Sequence, residues 1–421
     1  MKKIFVQIAS YRDKELLPTI RDIIDKASGK NDLSFGIIWQ KDETESIEEF
    51  SSDSRFRIID CHWRDSKGLG WARSLAQSLY KDEEYTLQLD SHHRFENNWD
   101  TELISMMDQL SDESEKPLLT AYAAGYDPET NRKISNTPCK ILPRDFKKSG
   151  TIWFNPTGIN DYESLTRPIK GRLVSGHYFF TYGQHCKEYL YDPDMYFAGD
   201  EICLSVRSFT LGYDIYHPHI NLVYHHYGRL DRAKHWSDHN LENKKKNKIT
   251  TMWSERDSYS KKRIRQLLTQ EDYGIDLGVF GLGTKRSIQE YEKYSGIDFK
   301  NKRIQKSAIS GMTPPVLFEN EINYEEDFRK ITETNVVEWD KEQFLQNHNK
   351  IHKFNIQYMN LQKNIIFNTT KSKQYLLNTE IISNKIVSDY VPMKIILQSF
   401  DSQNNLLCMI QKDLQPNIHW N

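Results

Sequence analysis

The stretch Tyr85-Thr86-Leu87-Gln88-Leu89-Asp90-Ser91-His92-His93-Arg94-Phe95 decides the predicted fold. Its first half alternates and is rich in β-prone residues, which predicts a strand that runs into the protein interior. Asp90 and His92 follow at the end of that strand, and residues two apart on a strand point to the same side. The pair can therefore hold one cation just outside the sheet, where open α/β sheets bind their ligands.

A carboxylate and an imidazole suit a divalent ion of borderline hardness such as Mn²⁺, with positions left for substrate oxygens. A cation at this place can clamp a diphosphate and stabilise its departure as a leaving group. The alternative is structural: Asp90 caps the following turn and His92 is a surface residue. Because an Asp-x-His motif is short and common, the surrounding sequence has to decide between the two.

The composition limits the classes of protein that fit. The chain has 421 residues, 38% hydrophobic and 28% charged, enough for a large core and two or three domains. Its 57 basic and 59 acidic residues give a net charge of −2, which argues against nucleic acid or an anionic membrane as a partner. Five scattered cysteines without a Cys-x-x-Cys pair favour a reducing compartment. With no apolar run of about 18 residues, we expect a cytoplasmic protein without a membrane span.

Strands and helices alternate over the first hundred residues. Predicted strands cover residues 4–9, 33–40, 56–60 and 85–90, and predicted helices cover residues 15–26 and 70–80. This alternation argues for a mainly parallel, doubly wound sheet. Neither a P-loop nor a Gly-x-Gly-x-x-Gly fingerprint accompanies it, so interpretations as a P-loop ATPase or a dinucleotide oxidoreductase lose support.

The remaining chain changes character twice. We predict strands near residues 117–124 and 172–180, separated by a loop-rich stretch, and a helix from Asp200 to about Leu211. A charged, mostly helical segment follows the short strands that end at His226. The chain then turns to alternating β-type segments. We therefore predict an α/β domain at 1–230, its helical extension at 231–312 and a small β-rich domain at 316–421.

A family resemblance emerges from short motifs in a fixed order. They are Ile8-Ala9-Ser10-Tyr11-Arg12-Asp13, Gly36-Ile37-Ile38-Trp39-Gln40, Gly68-Leu69-Gly70-Trp71-Ala72-Arg73, the stretch 87–95, Asn98-Trp99-Asp100, Phe197-Ala198-Gly199-Asp200-Glu201, His225-His226-Tyr227-Gly228-Arg229 and Gly281–Ser287. Together they cover about residues 1–300. They resemble the metal-dependent GT-A glycosyltransferases of the Skp1 hydroxyproline GlcNAc-transferase-like family and, more distantly, the polypeptide N-acetylgalactosaminyltransferases.

The resemblance implies a GT-A fold with a doubly wound mixed sheet, and a UDP-sugar donor, UDP-GlcNAc before others. It implies a Mn²⁺ or Mg²⁺ ion and transfer, with retention of anomeric configuration, to a hydroxyl group of a glycan or protein. Asp90 and His92 fall on the family's metal motif, and the third ligand is a histidine on a later strand. Only one of His225 and His226 can reach the ion, because strand neighbours point to opposite faces. His225-x-x-x-Arg229 matches the family's ending, so we favour His225, although His226-x-x-Arg229 fits the galactosamine relatives better.

Donor-binding residues are expected at the strand ends and around the metal motif. For Ser10, Tyr11 and Arg12, which end the first strand, an ordinary strand-to-helix turn with Asp13 as its cap is an equally supported alternative to donor binding. Arg73 is expected to pair with a donor phosphate, and its alternative is a salt bridge on the helix surface. The predicted donor set is Ala9, Ser10, Tyr11, Arg12, Gln40, Arg73, Asp90, Ser91 and Arg94.

Asp200 and Glu201 open a predicted helix, where the helix dipole alone favours acids. In related transferases an acidic pair at this place faces the sugar or the acceptor hydroxyl, so we predict both as catalytic residues. Gly176 and His177 are predicted on the acceptor side, with a core histidine as the equally supported alternative for His177.

Two other functions stay open. A metal-dependent hydrolase or phosphodiesterase would use the same acids and histidines but would need further ligands, which His217-Pro218-His219 can offer. A non-catalytic glycan-binding module would use the 12% aromatic content for stacking, but it leaves the metal motif without a role. The sequence does not name the acceptor, and residues 316–421 can serve either acceptor binding or homodimerisation.

Overall fold

The computed structural model describes residues 1–147, 149–228, 233–328, 331–336, 344, 349–360, 363–377, 382–387 and 393–414. The chain divides into two compact units, Met1–Leu317 and Phe318–Asn421. Among the described residues, no helix combines the length and the apolar character that crossing a bilayer requires.

The first unit contains strands and helices in an alternating order. Its strands are β1 (Lys3–Tyr11), β2 (Asp32–Lys41), β3 (Phe56–His62), β4 (Tyr85–Leu89), β5 (His93–Phe95), β6 (Pro117–Thr120), β7 (Ala124–Gly125), β8 (Cys139–Phe146), β9 (Ile152–Gly158), β10 (Ile169–Lys170), β11 (Tyr178–Tyr182), β12 (Asp214–His217), β13 (Val223–His225), β14 (Ile297–Asp298) and β15 (Arg303–Ile304). Its helices are α1 (Leu16–Lys26), α2 (Glu48–Ser51), α3 (Leu69–Ser78), α4 (Trp99–Gln109), α5 (His185–Glu188), α6 (Asp200–Thr210), α7 (His235–Asp238), α8 (Leu241–Lys245), α9 (Trp253–Thr269), α10 (Ile288–Ser295) and α11 (Lys306–Ser310).

Eight of these strands form one mixed sheet in the order β10-β12-β6-β11-β4-β1-β2-β3. Strands β1 to β4 pair in parallel, as the alternation of the first hundred residues predicts. Strand β11 runs antiparallel between β4 and β6, and this makes the sheet mixed. A second, three-stranded sheet in the order β5-β13-β7 brings His225 opposite His93. The predicted α/β fold class with a mixed sheet is confirmed.

The core of the first unit follows from continuous apolar strands between helices. In β1, the consecutive residues Ile4, Phe5 and Val6 are completely buried, as expected for a strand that is covered on both faces. Helix α1 places Leu16, Ile20 and Ile23 on one stripe against the same core. This packing fixes the positions of the strand ends from which the candidate site is built.

The sequence did not predict one hairpin within the loop-rich stretch between its strands near residues 117–124 and 172–180. The stretch 125–170 is not merely loop-rich, because β8 and β9 form an antiparallel hairpin that pairs Cys139 with Gly158 and Phe146 with Ile152. Pro143 and Pro156 lie in these strands, and the register shifts near Pro143. Proline is tolerated in such two-stranded, edge-like pairs, so the residues that predicted a loop are compatible with a hairpin here.

The second unit is β-rich, as predicted for this part of the chain. Its strands are β16 (Ile331–Val336), β17 (Lys353–Met359), β18 (Ile365–Ser372), β19 (Ile382–Val387), β20 (Lys394–Phe400) and β21 (Leu406–Asp413), with helices α12 (Glu321–Glu326) and α13 (Lys373–Leu377). Strands β18-β17-β20-β21 form an antiparallel sheet, and β16 pairs with β19. Phe354, Ile356 and Tyr358 alternate along β17 and are completely buried.

Candidate functional site

The structure brings together the three residues that the sequence predicts as metal ligands. Asp90 follows the end of β4, His92 lies two residues later, and His225 ends β13. Nε2 of His225 lies 3.7 Å and Nε2 of His92 lies 3.9 Å from Oδ2 of Asp90. One ligand atom from each residue lies within 4.8 Å of the other two, which is close enough for all three to share one ion.

The chemistry of this group fits a divalent cation. Burial lowers the pKa of His225 well below its ordinary value, which keeps the imidazole in its neutral, ligating form. Burial alone would raise the pKa of Asp90, but His225 and Arg73 hold it well below its usual range, so the carboxylate is anionic. Neither ring nitrogen of His225 has a hydrogen-bond partner among the described residues, although both are buried. Such unsatisfied nitrogens are costly unless a ligand fills the place.

His226 is oriented differently from its neighbour. Its backbone N–H donates to the carbonyl of His92 at 3.1 Å, and its ring centroid lies 6.0 Å from that of Tyr126. The group of three potential ligands contains His225 and not His226. Arg229, on which the choice between the two histidines depended in the sequence, lies outside the described residues.

Asp13 holds His92 from the side opposite the group. Its Oδ2 accepts a hydrogen bond from Nδ1 of His92 at 2.7 Å and another from Oγ of Ser91 at 2.7 Å. Its Oδ1 accepts the backbone N–H of Glu15 at 3.0 Å, so the predicted role as a turn cap is also present. Burial is the largest single influence and opposes ionisation of this carboxylate, but the contacts with His92, Ser91 and the backbone N–H of Glu15 together outweigh it and lower the pKa of Asp13 to about 2. The sequence suggests only the cap, because the contact with His92 joins two distant segments.

Arg73 connects the candidate metal group to the predicted acidic pair. Its guanidinium donates to Oδ1 of Asp90 at 3.1 Å, to the carbonyl of Gly176 at 2.6 Å, and to Asp200. The Arg73 side chain is only 4% exposed, so the alternative of a surface salt bridge is wrong. Its predicted contact with a donor phosphate stays a prediction.

The acidic pair begins helix α6 as predicted. Glu201 accepts the hydroxyl of Tyr122 at 2.6 Å and the backbone N–H of Gly176 at 3.0 Å. Burial raises the pKa of Asp200 and of Glu201 above their ordinary values. A Cβ on Gly176 would lie 2.8 Å from Nη1 of Arg73 and 3.1 Å from Oδ2 of Asp200. A larger residue at this position would therefore have to displace Arg73 or Asp200.

His177 is buried beside the candidate ligands. Nδ1 of its ring lies 2.9 Å from Oγ of Ser175, and Nε2 accepts the backbone N–H of Ala123 at 3.2 Å. Its ring centroid is 4.3 Å from that of His225, so it packs directly against a candidate ligand. Both ring nitrogens thus have polar neighbours within the core, which favours the core alternative over direct contact with an acceptor.

A cavity of about 190 Å³ opens next to this group. It is lined by Ala9, Tyr11, Asp13, Gln40, Gly68, Leu69, Ala72, Asp90, Ser91, His92, Tyr196, Phe197, His225, Ala233, Lys234, His235 and Trp236. The lining therefore combines the carboxyl ends of β1 and β2, the start of α3 and the segment at α7. A cavity at the ends of parallel strands is the usual ligand position of an open α/β sheet.

Comparison with known proteins identifies the chain. Residues 3–53 and 47–301 match the model of the family described as Glycosyltransferase (GlcNAc). This protein belongs to the GlcNAc glycosyltransferase family. The match covers the whole described site, from β1 to the segment that follows α10.

Several solved structures are similar to this chain. One is GalNAc-T7 with UDP, GalNAc and Mn²⁺, at 16% identity and a TM-score of 0.47, covering 69% of this chain and 54% of that chain. Another is TarS 1–349 of S. aureus in complex with UDP-GlcNAc, at 13% identity and a TM-score of 0.36, covering 66% of this chain and 68% of that chain. The chain thus spans about half the length of GalNAc-T7. No curated protein sequence matches it significantly.

The predicted donor-binding residues of this chain separate into two groups. Those that line the cavity are Ala9, Tyr11, Gln40, Asp90 and Ser91. Those that do not are Ser10, Arg12, Arg73 and Arg94. Ser10 is completely buried, and Arg94 donates to Glu15 at 2.7 Å and lies over the ring of Tyr126. Arg94 therefore points to α1 rather than to Asp90.

Two residues of the first group already have polar partners. Gln40 donates to the carbonyl of Ser10 at 2.8 Å and accepts the hydroxyl of Ser66 at 2.6 Å. The hydroxyl of Tyr11 donates to Asp238 at 2.9 Å. Several other residues of the cavity were not predicted from the sequence, among them Tyr196, Lys234 and Trp236. They come from distant segments, and no sequence motif indicates that they contribute to a site.

Proposed function

We propose that this chain is a metal-dependent glycosyltransferase that moves GlcNAc from UDP-GlcNAc to a hydroxyl group of a glycan or protein. The observation that carries the proposal is the group Asp90, His92 and His225 beside a cavity at the carboxyl ends of β1 and β2. The family's description supports GlcNAc as the transferred sugar. GalNAc-T7 and TarS were solved with UDP or UDP-GlcNAc, which is consistent with a UDP-sugar donor here.

The proposed ligands are Asp90, His92 and His225, and the proposed ion is Mn²⁺, with Mg²⁺ as the alternative. Two imidazoles and one carboxylate favour Mn²⁺, because Mg²⁺ prefers oxygen ligands. When bound, such an ion supplies positive charge that stabilises the departing diphosphate.

The chain's own charges prepare the site for this chemistry. The buried guanidinium of Arg73 forms ion pairs with both Asp90 and Asp200. We propose that this keeps the metal ligand at a fixed distance from the acidic pair, as a site with preorganised charges requires. Asp200 and Glu201 would then face the sugar or the acceptor hydroxyl.

We further propose that transfer retains the anomeric configuration. An inverting reaction needs a free general base. Asp200 is paired with Arg73, and Glu201 accepts hydrogen bonds from Tyr122 and Gly176, so both carboxylates are already engaged. This supports a front-face reaction in which the leaving phosphate oxygen accepts the proton of the hydroxyl. The proton NMR coupling constant of the product anomer tests the stereochemistry.

The proposed subfamily rests on the resemblance of the sequence motifs to known glycosyltransferases. We infer a GT-A enzyme of the Skp1 hydroxyproline GlcNAc-transferase-like group and a cytoplasmic location. All five cysteines, each of them in a described part of the chain, are unpaired thiols, which suits a reducing compartment. Homodimerisation stays a prediction, and so do the domain boundaries at residues 230, 312 and 316.

Release of UDP from a panel of UDP-sugars tests the proposed function. The wild type, Asp90→Ala and Asp60→Ala are incubated with UDP-GlcNAc, UDP-GalNAc, UDP-glucose and UDP-galactose, with Mn²⁺ or EDTA. Asp60 lies on β3 of the same sheet, is half-exposed and pairs with Lys41, so it controls for loss of a carboxylate. We expect release from UDP-GlcNAc that needs Mn²⁺, is retained in Asp60→Ala and is lost in Asp90→Ala. Cleavage of phosphodiesters instead of UDP-sugars would favour the hydrolase. The absence of any turnover would favour the glycan-binding module.

A further inference from the structure

Asp13 contacts Nδ1 of the candidate ligand His92, and not Nε2, the ring nitrogen that faces Asp90. It is 6% exposed, and three donors fix it: Nδ1 of His92, Oγ of Ser91 and the backbone N–H of Glu15. A carboxylate held by three donors has little freedom to move. It is therefore a rigid acceptor at the start of α1.

The contact determines which nitrogen of His92 carries the proton. An ionised carboxylate can only accept a hydrogen bond, so Nδ1 of His92, at 2.7 Å, has to be the N–H. In the neutral ring the lone pair then lies on Nε2. Nε2 is the nitrogen that lies 3.9 Å from Oδ2 of Asp90. Asp13 therefore turns the ligating nitrogen of His92 toward the place where the three candidate ligands meet.

We propose that Asp13 is a positioning residue, which fixes the tautomer and the ring orientation of His92 for divalent metal binding. The inference rests on the proposed function, because it needs His92 to be a ligand. A carboxylate behind a metal-bound histidine typically changes metal affinity by about 10- to 100-fold. The other histidine of the group lacks this support, since among the described residues Nδ1 of His225 has no hydrogen-bond partner.

The substitution that isolates this role is Asp13→Asn. It preserves the shape of the side chain, but an amide can also donate, so it no longer forces the proton onto Nδ1 of His92. The matched control is Asp100→Asn. Asp100 is completely buried and accepts hydrogen bonds from Ser28 and Asn31, yet it does not line the cavity.

The readout is the affinity for Mn²⁺ alone, measured by the electron paramagnetic resonance signal of the free ion. We expect Asp13→Asn to weaken binding by about 10- to 100-fold, and Asp100→Asn to bind as the wild type does. If Asp13→Asn binds Mn²⁺ as tightly as the wild type, Asp13 has no positioning role, and the proposed function is unaffected. If the wild type itself does not bind Mn²⁺, the metal-dependent function fails first.

A second measurement needs no variant that has to fold. Nitrogen-15 spectra of the histidine-labelled, metal-free wild type report the tautomer of each ring. We expect the proton of His92 on Nδ1. A proton on Nε2 would overturn the proposal, whatever the behaviour of Asp13→Asn.

Discussion

Nε2 of His225 lies 3.7 Å from Oδ2 of Asp90, although the two residues are 135 positions apart in the chain. The antiparallel pairing of β13 with β5 produces this contact, because it sets His225 opposite His93, three residues after Asp90. Burial keeps the ring neutral, and its nitrogens have no other partner among the described residues. An ion between these two side chains would satisfy both.

The first prediction separates His225 from its neighbour. His225→Ala should weaken Mn²⁺ binding by at least about 10-fold, because it removes a proposed direct ligand and not only a supporting contact. His226→Ala should change the affinity by much less, since His226 is not part of the group. Calorimetric titration of Mn²⁺ into both variants measures this. A larger loss in His226→Ala would reassign the third ligand to His226.

The second prediction concerns stability. Arg73→Met should lower the free energy of unfolding by about 3–5 kcal/mol, because it leaves the carboxylates of Asp90 and Asp200 without their buried partner. Urea unfolding at pH 7 measures the difference. Arg167→Met is the control, since Arg167 is 43% exposed and pairs with Asp112 and Glu113 at the surface, where such pairs contribute about 0–1 kcal/mol. Equal losses in the two variants would mean that Arg73 does not bridge the acids.

The third prediction uses a glycine. Gly176→Ala should displace Arg73 or Asp200, because the new Cβ would approach them to 2.8 and 3.1 Å. A shift of about 1 Å in a catalytic arrangement can cost about 10²-fold in rate, so we expect kcat for UDP-sugar turnover to fall by that order. Gly281→Ala is the control, since the atom nearest to its Cβ would be 3.4 Å away. Full activity in Gly176→Ala would show that this close approach is not needed.

The fourth prediction is a pH dependence outside the site. Burial lowers the pKa of His217 to about 4, from about 6.5 in an unfolded chain. The folded-state pKa is depressed, so the stabilising contribution of the neutral ring is present above about pH 6.5 and is lost as the pH falls toward 4. Between pH 7 and pH 5 the loss amounts to about 2 kcal/mol.

His217→Gln checks this by urea unfolding at both pH values. The variant should be less stable at pH 7, because the ring bridges the carbonyl of Thr120 and the N–H of Ile141. Between pH 7 and pH 5, however, its free energy of unfolding should fall by about 2 kcal/mol less than that of the wild type. Parallel losses in the two proteins would contradict the depressed pKa of His217.

The predictable parts of the site are those that local sequence determines. Periodicity predicts the strand before Asp90 and the helix that begins at Asp200. Asp90 and His92 are only two residues apart, so the sequence also places both side chains at the same strand end. The partners of Arg73 were not predictable, because Asp200 and Gly176 meet it only after the sheet forms. A single sequence contains no signal for such contacts between distant segments.

The missed features have the same origin. Trp236 lines the cavity through packing that no spacing rule reveals. The β8–β9 hairpin has the proline content of a loop, and its pairing depends on partners that lie outside a local window. Asp13 was predicted as the cap of the turn, and it does accept the backbone N–H of Glu15 there, but its contact with His92 needs two strand ends to lie side by side.

Calorimetric titration of UDP, with Mn²⁺ or with EDTA, tests the central claim most directly. We propose that Asp90, His92 and His225 bind the ion on which the donor diphosphate depends. We therefore expect the wild type to bind UDP in Mn²⁺ and not in EDTA, and Asp90→Ala to bind UDP in neither. Equal UDP binding in Mn²⁺ and in EDTA, or unchanged binding by Asp90→Ala, would contradict it.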